Sequence, residues 1–195
     1  MHRLAAINEL LGPLGPLAGA WEGDEGLDVS FHHEDDQVGE TPYRELITFK
    51  PFGPVDNGSQ HLYGLDYRTA MWRGDEADPF HTEVGYWLWD AGLGHVMRGF
   101  VIPRASVILA GGEAAPDATS FTLKADSGDP GYGMSTNPYL LENANCTHYE
   151  VTVEIDGETF SYEEDSVLEM TELGEPLHHT DRNTLRRTQA YELEV

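Results

Sequence analysis

The chain has one cysteine, Cys146, among its 195 residues, and only two lysines, Lys50 and Lys124. A single thiol excludes an internal disulfide framework and any zinc ribbon or finger, and it fits a reducing compartment. The shortage of lysine belongs to a wider shortage of positive charge. There are 11 Lys and Arg against 35 Asp and Glu, for a formal net charge of -24. Phosphate backbones and anionic membranes need a basic footprint, so neither nucleic acid nor a membrane surface is an expected partner. Such an acid excess is either a plain solvated surface or suited to solubility at high ionic strength. No continuous apolar run suits a signal peptide or a membrane span in Met1 to Leu17, which Pro13 and Pro16 interrupt, and the cytoplasm is the expected location.

Long helical periodicity is also missing. What is present is 39% hydrophobic residues, enough for one core, with 21 glycines and 11 prolines spread between many short apolar runs. That pattern predicts an all-β chain with frequent turns. Arg3 to Leu11 has helical spacing of Leu4, Ile7, Leu10 and Leu11, ended by Gly12-Pro13, and a short helix there would cover one end of a barrel. Strands are expected over Tyr43 to Lys50, ending in the turn-rich Pro51 to Gly58, then over Gln60 to Trp72 and Phe80 to Asp90. Others are expected over His95 to Pro103 and over Ser106 to Ala110 up to a break at Gly111-Gly112, then over Ser120 to Ala125, Thr147 to Ile155, Thr159 to Met170 and Thr184 to Leu193. Asp126 to Asn145 reads as a long lid-like loop, and Asp156-Gly157 as a two-residue hairpin turn. Apolar residues on both parities of His95 to Pro103 (Val96, Phe100 and Ile102 against Met97 and Val101) suggest a lined interior and a covered exterior. The predicted architecture is an antiparallel, up-and-down closed β-barrel of about ten strands with a short N-terminal helix. Residues 1–16 form the helix and linker, and 17–195 the single barrel domain. Such an interior holds one small ligand.

The candidate chemistry centres on Leu177 to Arg187. Adjacent side chains in a strand point to opposite faces, so only one of His178 and His179 can face a pocket. If Leu177, His179 and Leu185 share the inward side, His179 is the metal or haem ligand, provided that the polar Thr180 to Thr184 run does not bend the strand. Otherwise both histidines are loop residues. His81 either approaches a ligand or bonds Glu83 within the sheet; Phe80, of opposite parity, is then the pocket residue. Met134 either closes over a ligand or fills a gap. Arg98 and Arg104 could pair with a carboxylate, although surface ion pairs are the commoner use. The polar run His32 to Asp36 matches no metal-site spacing and reads as a solvated connection. No Ser-His-Asp or Cys-His nucleophile pattern stands out.

Three pieces in order carry a family resemblance: Gly19, Trp21 and Gly23 at alternate positions; Phe80-His81-Thr82-Glu83-Val84-Gly85-Tyr86; and Leu177 to Arg187. Together they resemble the nitrobindin family, the haem-binding β-barrel also found at the C-terminus of a THAP-type protein and distantly like fatty-acid-binding proteins and lipocalins. The family's next glycine falls on Glu25 here, with Gly26 beside it, and its Pro-His-Leu is His178-His179-Thr180, a shift of one residue. The resemblance implies haem b held through His179 as axial iron ligand, with Phe80, His81, Met134 and His178 around it, and the handling of nitric oxide or the isomerisation of peroxynitrite to nitrate. The competing expectation is a non-catalytic carrier of a small apolar ligand without haem. A third is a filled barrel serving as an interaction module. A homodimer is open on either of the first two.

Overall fold

The structure is a computed structural model that describes residues 10–193. Eleven strands run in chain order: β1 (Gly19–His32), β2 (Gln37–Asn57), β3 (Gln60–Arg73), β4 (His81–Asp90), β5 (His95–Val101), β6 (Val107–Glu113), β7 (Ser120–Asp126), β8 (Met134–Ser135), β9 (Ala144–Asp156), β10 (Thr159–Met170) and β11 (Leu177–Ala190). A 3-10 helix, Gly12–Leu17, precedes them, and one short helix, α1 (Pro138–Asn143), precedes β9. Neighbours follow the order β5-β4-β3-β2-β1-β11-β10-β9-β7-β6, and β5 pairs with β6 to close the ring. All of these pairings are antiparallel. The result is a closed, ten-stranded barrel, with the two-residue β8 paired to Val107 and Ile108 at the start of β6. The expected helix over Arg3 to Leu11 lies outside the described residues apart from Leu10 and Leu11.

One end of the barrel is plugged. Proline at positions 13 and 16 suits a tight 3-10 turn better than an α-helix, and the turn drives Leu14 and Leu17, with Leu11 before it, into full burial. Trp21 lies beneath them, donating its indole Nε1 to the Leu17 carbonyl at 2.8 Å and meeting the edge of Phe160 with ring centroids 4.9 Å apart. Each fully buried leucine contributes roughly 1.5–3 kcal/mol of transfer free energy. The plug therefore fixes which end of the barrel is closed.

The other end stays open, and a bulge decides what faces it. Gly23 pairs with Glu45 of β2 and Gly26 pairs with Tyr43, so β1 spends one residue more than β2 over this stretch. Inward positions switch from Gly19, Trp21 and Gly23 to Gly26, Asp28 and Ser30. The glycine displaced by one from the family's expected spacing is thereby explained: Gly26 packs under the Tyr43 ring, where an added Cβ would lie 2.3 Å from a ring carbon. Beyond the bulge, Asp28 turns into the barrel.

Several local expectations shift. β2 does not end at Lys50 but continues to Asn57 through a register slip between Phe52 and Val55. β6 runs through Gly111 and Gly112 instead of breaking there, because the Tyr132 ring lies where a Gly111 side chain would stand. The tight turn between β9 and β10 is Gly157-Glu158, with Asp156 still paired to Thr159. Asp126 to Asn145 holds β8 and α1 rather than loop alone. Asn137 caps α1, accepting from Leu140 N at 3.1 Å and donating Nδ2 to the Arg104 carbonyl at 2.7 Å, and this ties the helix to the mouth.

Candidate functional site

Leu177, His179, Asp181, Asn183 and Leu185 sit on the inward side of β11. The polar run does not bend the strand: its pairing with β10 is regular from Leu177 to Arg186. His179 therefore lines the interior. His178 points outward, is exposed, and bonds Asp165 Oδ2 through Nδ1 at 2.7 Å; strand alternation keeps it out of the cavity.

The cavity measures about 320 Å³ and runs from the mouth down to the aromatic core. At the mouth, His179 Nε2 meets Asp28 Oδ1 at 2.7 Å, with Asp181 Oδ2 at 3.4 Å, and Asp28 also accepts from Ser30 at 2.6 Å. Burial pulls the His179 pKa down, but the bond to Asp28 and the charges of Asp181 and Asp28 outweigh it and raise the pKa above its ordinary value. Burial would raise Asp28; the His179 and Ser30 bonds leave it lowered. Asp181 is pushed up to about 7 by burial and by the charges of Glu164 and Asp28, against the pull of His179 and His81. The three groups form an ion-paired cluster on one wall, with ligand atoms within 4.8 Å of one another.

The floor is a second, largely buried polar network. β5 sends Val96, Arg98 and Phe100 inward, so Arg98, at 4% exposure, is no surface ion pair. Its guanidinium bridges Glu83 at 2.5 Å and Glu164 at 2.8 Å, donates to Tyr67 at 3.0 Å and also to Tyr149. Arg104, by contrast, is exposed at the rim. His81 Nε2 lies 3.2 Å from Glu83 Oε1, in the within-sheet pairing. Burial raises the Glu83 carboxyl, yet the Arg98 charge and the bond and charge of His81 hold it well below the usual carboxylate range; burial lowers His81, but the Glu83 bond together with the charges of Glu83, Asp181 and Glu164 lifts it to about 8. Beside this, Glu45 accepts from Thr69 at 2.7 Å, Tyr162 at 2.8 Å and Asn183 at 2.9 Å, and Tyr162 is bonded to Tyr43 at 2.8 Å. Burial pushes Glu45 up to about 7 despite these three donors. A charge network of this kind is costly to bury and strongly destabilising to break in part.

Phe80 and His81 line the cavity, with the Arg73 guanidinium 4.5 Å from the Phe80 ring centroid. Met134, on β8 opposite Ile108, packs partly buried against the core and is not among the cavity-lining residues. Of the polar run, His33 to Asp36 make the exposed turn between β1 and β2, while His32 ends β1 half-buried, with Nε2 3.2 Å from Thr41 Oγ1. Cys146 lines the cavity as a protonated thiol, which burial pushes up to about 11. Sequence reasoning missed Asp28, Glu45, Asp181 and Asn183, and left Arg98 on the surface. Parity with Val96 and Phe100 was the available signal for Arg98, and parity with His179 for Asp181 and Asn183.

Among the described residues no helix is long and apolar enough to cross a membrane. A family model described as the THAP4-like, heme-binding beta-barrel domain matches residues 10–187. No curated protein sequence matches the chain. Among solved structures, the crystal structure of Rv2717c from M. tuberculosis is similar, with a TM-score of 0.63 and 18% sequence identity over 92% of this chain and 97% of that chain. A likeness at that identity carries the fold and nothing finer.

Proposed function

The chain belongs to the THAP4-like, haem-binding β-barrel domain family, and from that membership we propose that it binds haem b at the cavity mouth with His179 as the axial iron ligand. The observation that carries the reading is the placement of His179: an imidazole on the inward face of β11, at the wall of an open-mouthed cavity, flanked by Met71, Phe80, Ile102, Leu140 and Leu168. The donor set fits a single imidazole ligand. His81 is committed to Glu83, and the protonated Cys146 is no thiolate donor. The fit has one condition: His179 must exchange its Nε2 bond to Asp28 for the iron. Asp28 keeps the Ser30 hydroxyl after that exchange, so it is not stranded.

Bound haem would supply an iron centre with an exchangeable position, the chemistry by which nitrobindin-type barrels handle nitric oxide and isomerise peroxynitrite to nitrate. The protein's own residues do the rest. Asp28 and Asp181, both beside Nε2, take up the proton that this nitrogen gives up on becoming a ligand. Leu140 of α1 and Phe80 give the mouth apolar walls that exclude water. Arg73 and Arg104, the two arginines at the rim, are placed to pair with propionates.

The test is a haemin titration followed by absorbance on the wild type and on His179→Ala. A saturable Soret band at one haem per chain, lost in the variant, is the expected result, and peroxynitrite decay would then be measured on the loaded protein. Equal or absent haemin binding in both proteins overturns the assignment of His179.

A further inference from the structure

Across the ring from β11, strands β4, β5 and β6 carry apolar side chains on their outward faces as well as their inward ones. Cross-strand pairing sets Val84 beside Val101 and Val101 beside Val107; the next row runs from Tyr86 through Gly99 to Leu109. Val84 is 40% exposed, Tyr86 54%, Val107 47% and Leu109 39%, and among the described residues nothing covers them. The charge pattern is equally local. In a chain with 35 acidic side chains, the outward positions of β4 and β5 hold none, and β6 has one, Glu113, at its far end. We infer that a second copy of this chain covers this face, in a two-fold dimer with Tyr86 of each copy seated over Gly99 of the other.

Charge, shape and area select a second copy as the occupant. Each copy has a formal net charge of -24, so two of them repel wherever acids meet, and this block lets them meet without acid against acid. The neighbouring β3 adds one charge of each sign, Asp66 beside Tyr86 and Arg68 beside Val84, which is no footprint for a basic partner or an anionic lipid surface. A two-fold contact must fit itself, so it needs a projection and a hollow close together on one face. Tyr86 projects, its ring braced by the edge of Phe52 with centroids 5.4 Å apart. Gly99, its cross-strand neighbour, is the hollow, because a Cβ added there would meet only Leu109 Cδ1, at 3.6 Å. These side chains and their half-buried neighbours leave on the order of 400 Å² of apolar surface, the size of a functional patch on a monomer. Two such patches with their rims come to about 1,200 Å², at the low end of specific interfaces, so the dimer is reversible. The face lies on the outside of the wall, and the inference stands whatever His179 binds.

The test is sedimentation velocity on the full chain, without haemin, over about 1 to 200 µM protein and at about 0.1 M and 1 M NaCl, where the Debye length falls from about 10 to about 3 Å. Expected is a reversible monomer-dimer equilibrium with a dissociation constant on the order of 10 µM. It should tighten at least about threefold at the higher salt, because screening relieves the repulsion between two acidic bodies. Leu109→Asp sets a carboxylate against the other copy's apolar rows and should weaken the dimer at least about tenfold. Gly99→Val fills the hollow without adding charge and should weaken it about fivefold or more; it gives an independent reading should the first variant not fold. Leu141→Asp, at an exposed apolar residue of α1 beside the mouth, should leave the constant unchanged. A chain that stays monomeric throughout, a dimer that weakens with salt, one that Leu109→Asp or Gly99→Val leaves unaltered, or one that Leu141→Asp abolishes overturns the inference.

Discussion

Replacing Glu45 by Gln changes one atom type at the most buried carboxylate of the cavity wall, and the structure predicts that its effect reverses sign with pH. Glu45 is 2% exposed and its carboxyl is pushed up by burial to about 7 from the ordinary 4.5. A carboxyl that holds its proton more tightly in the folded chain contributes stability in full below about pH 4.5 and loses it as the pH rises through about 7. At 1.36 kcal/mol per pH unit, the whole loss comes to about 3 kcal/mol by pH 8.5. The protonated carboxyl is well accommodated: Glu45 can donate to the Tyr162 hydroxyl, and Tyr162 to Tyr43, whose hydroxyl lies 3.4 Å from the Arg182 carbonyl. Gln reproduces that donor and the acceptor for Thr69, but its amide nitrogen cannot accept from Asn183 Nδ2, which costs about 1–2 kcal/mol. Glu45→Gln should therefore melt below the wild type at pH 4.5 and above it at pH 8.5. The expected differences are about 2–6 °C, taking about 2–4 °C per kcal/mol at this size. The comparison is made by differential scanning calorimetry across that pH range. The His81 contribution, lost as the pH rises from about 6.5 toward 8, is common to both proteins and cancels. A variant as destabilised at pH 8.5 as at pH 4.5 would refute the buried-acid reasoning.

Two further perturbations probe the mouth. Cys146, with its thiol pushed up to about 11 by burial, should react with iodoacetamide at pH 7.5 on the order of a hundredfold more slowly than in the urea-unfolded chain; equal rates would show an ordinary, solvated thiol. Asn137→Ala removes the cap of α1 and the bond to the Arg104 carbonyl. It should cost about 1 kcal/mol and speed amide hydrogen exchange at Leu140 while the β11 amides stay protected, and unchanged exchange at Leu140 would count against α1 as a capped wall of the mouth.

How much of this was legible beforehand follows from the range of each interaction. The alternation that turns His179 inward and His178 outward is a property of consecutive residues, as is the spacing of His81 and Glu83. The arginine on β5 shows where local reading stops. Arg98 shares the parity of Val96 and Phe100, yet an arginine at an inward position is credible only once Glu83 from β4, Tyr149 from β9 and Glu164 from β10 are seen around it. From the sequence Met134 is open between closing over a ligand and filling a gap, because a methionine within a glycine-rich loop gives no parity to read; β8 packs it partly buried against the core, as a gap filler.

The sequence by itself determined the barrel: short alternating runs, frequent turns, no long helix, and the Gly-Trp-Gly, His-x-Glu-x-Gly and histidine-bearing pieces in family order. Those are features of local periodicity and backbone geometry, which survive without knowledge of the partner strand. The tertiary structure alone decided the electrostatics of the site. A one-residue bulge in β1 turns Asp28 into the barrel, closure brings β1 beside β11, and only then does His179 acquire two carboxylate neighbours and the floor its buried cation and unpartnered donors. Charges interact through space and burial, and neither is written in the order of residues along a strand.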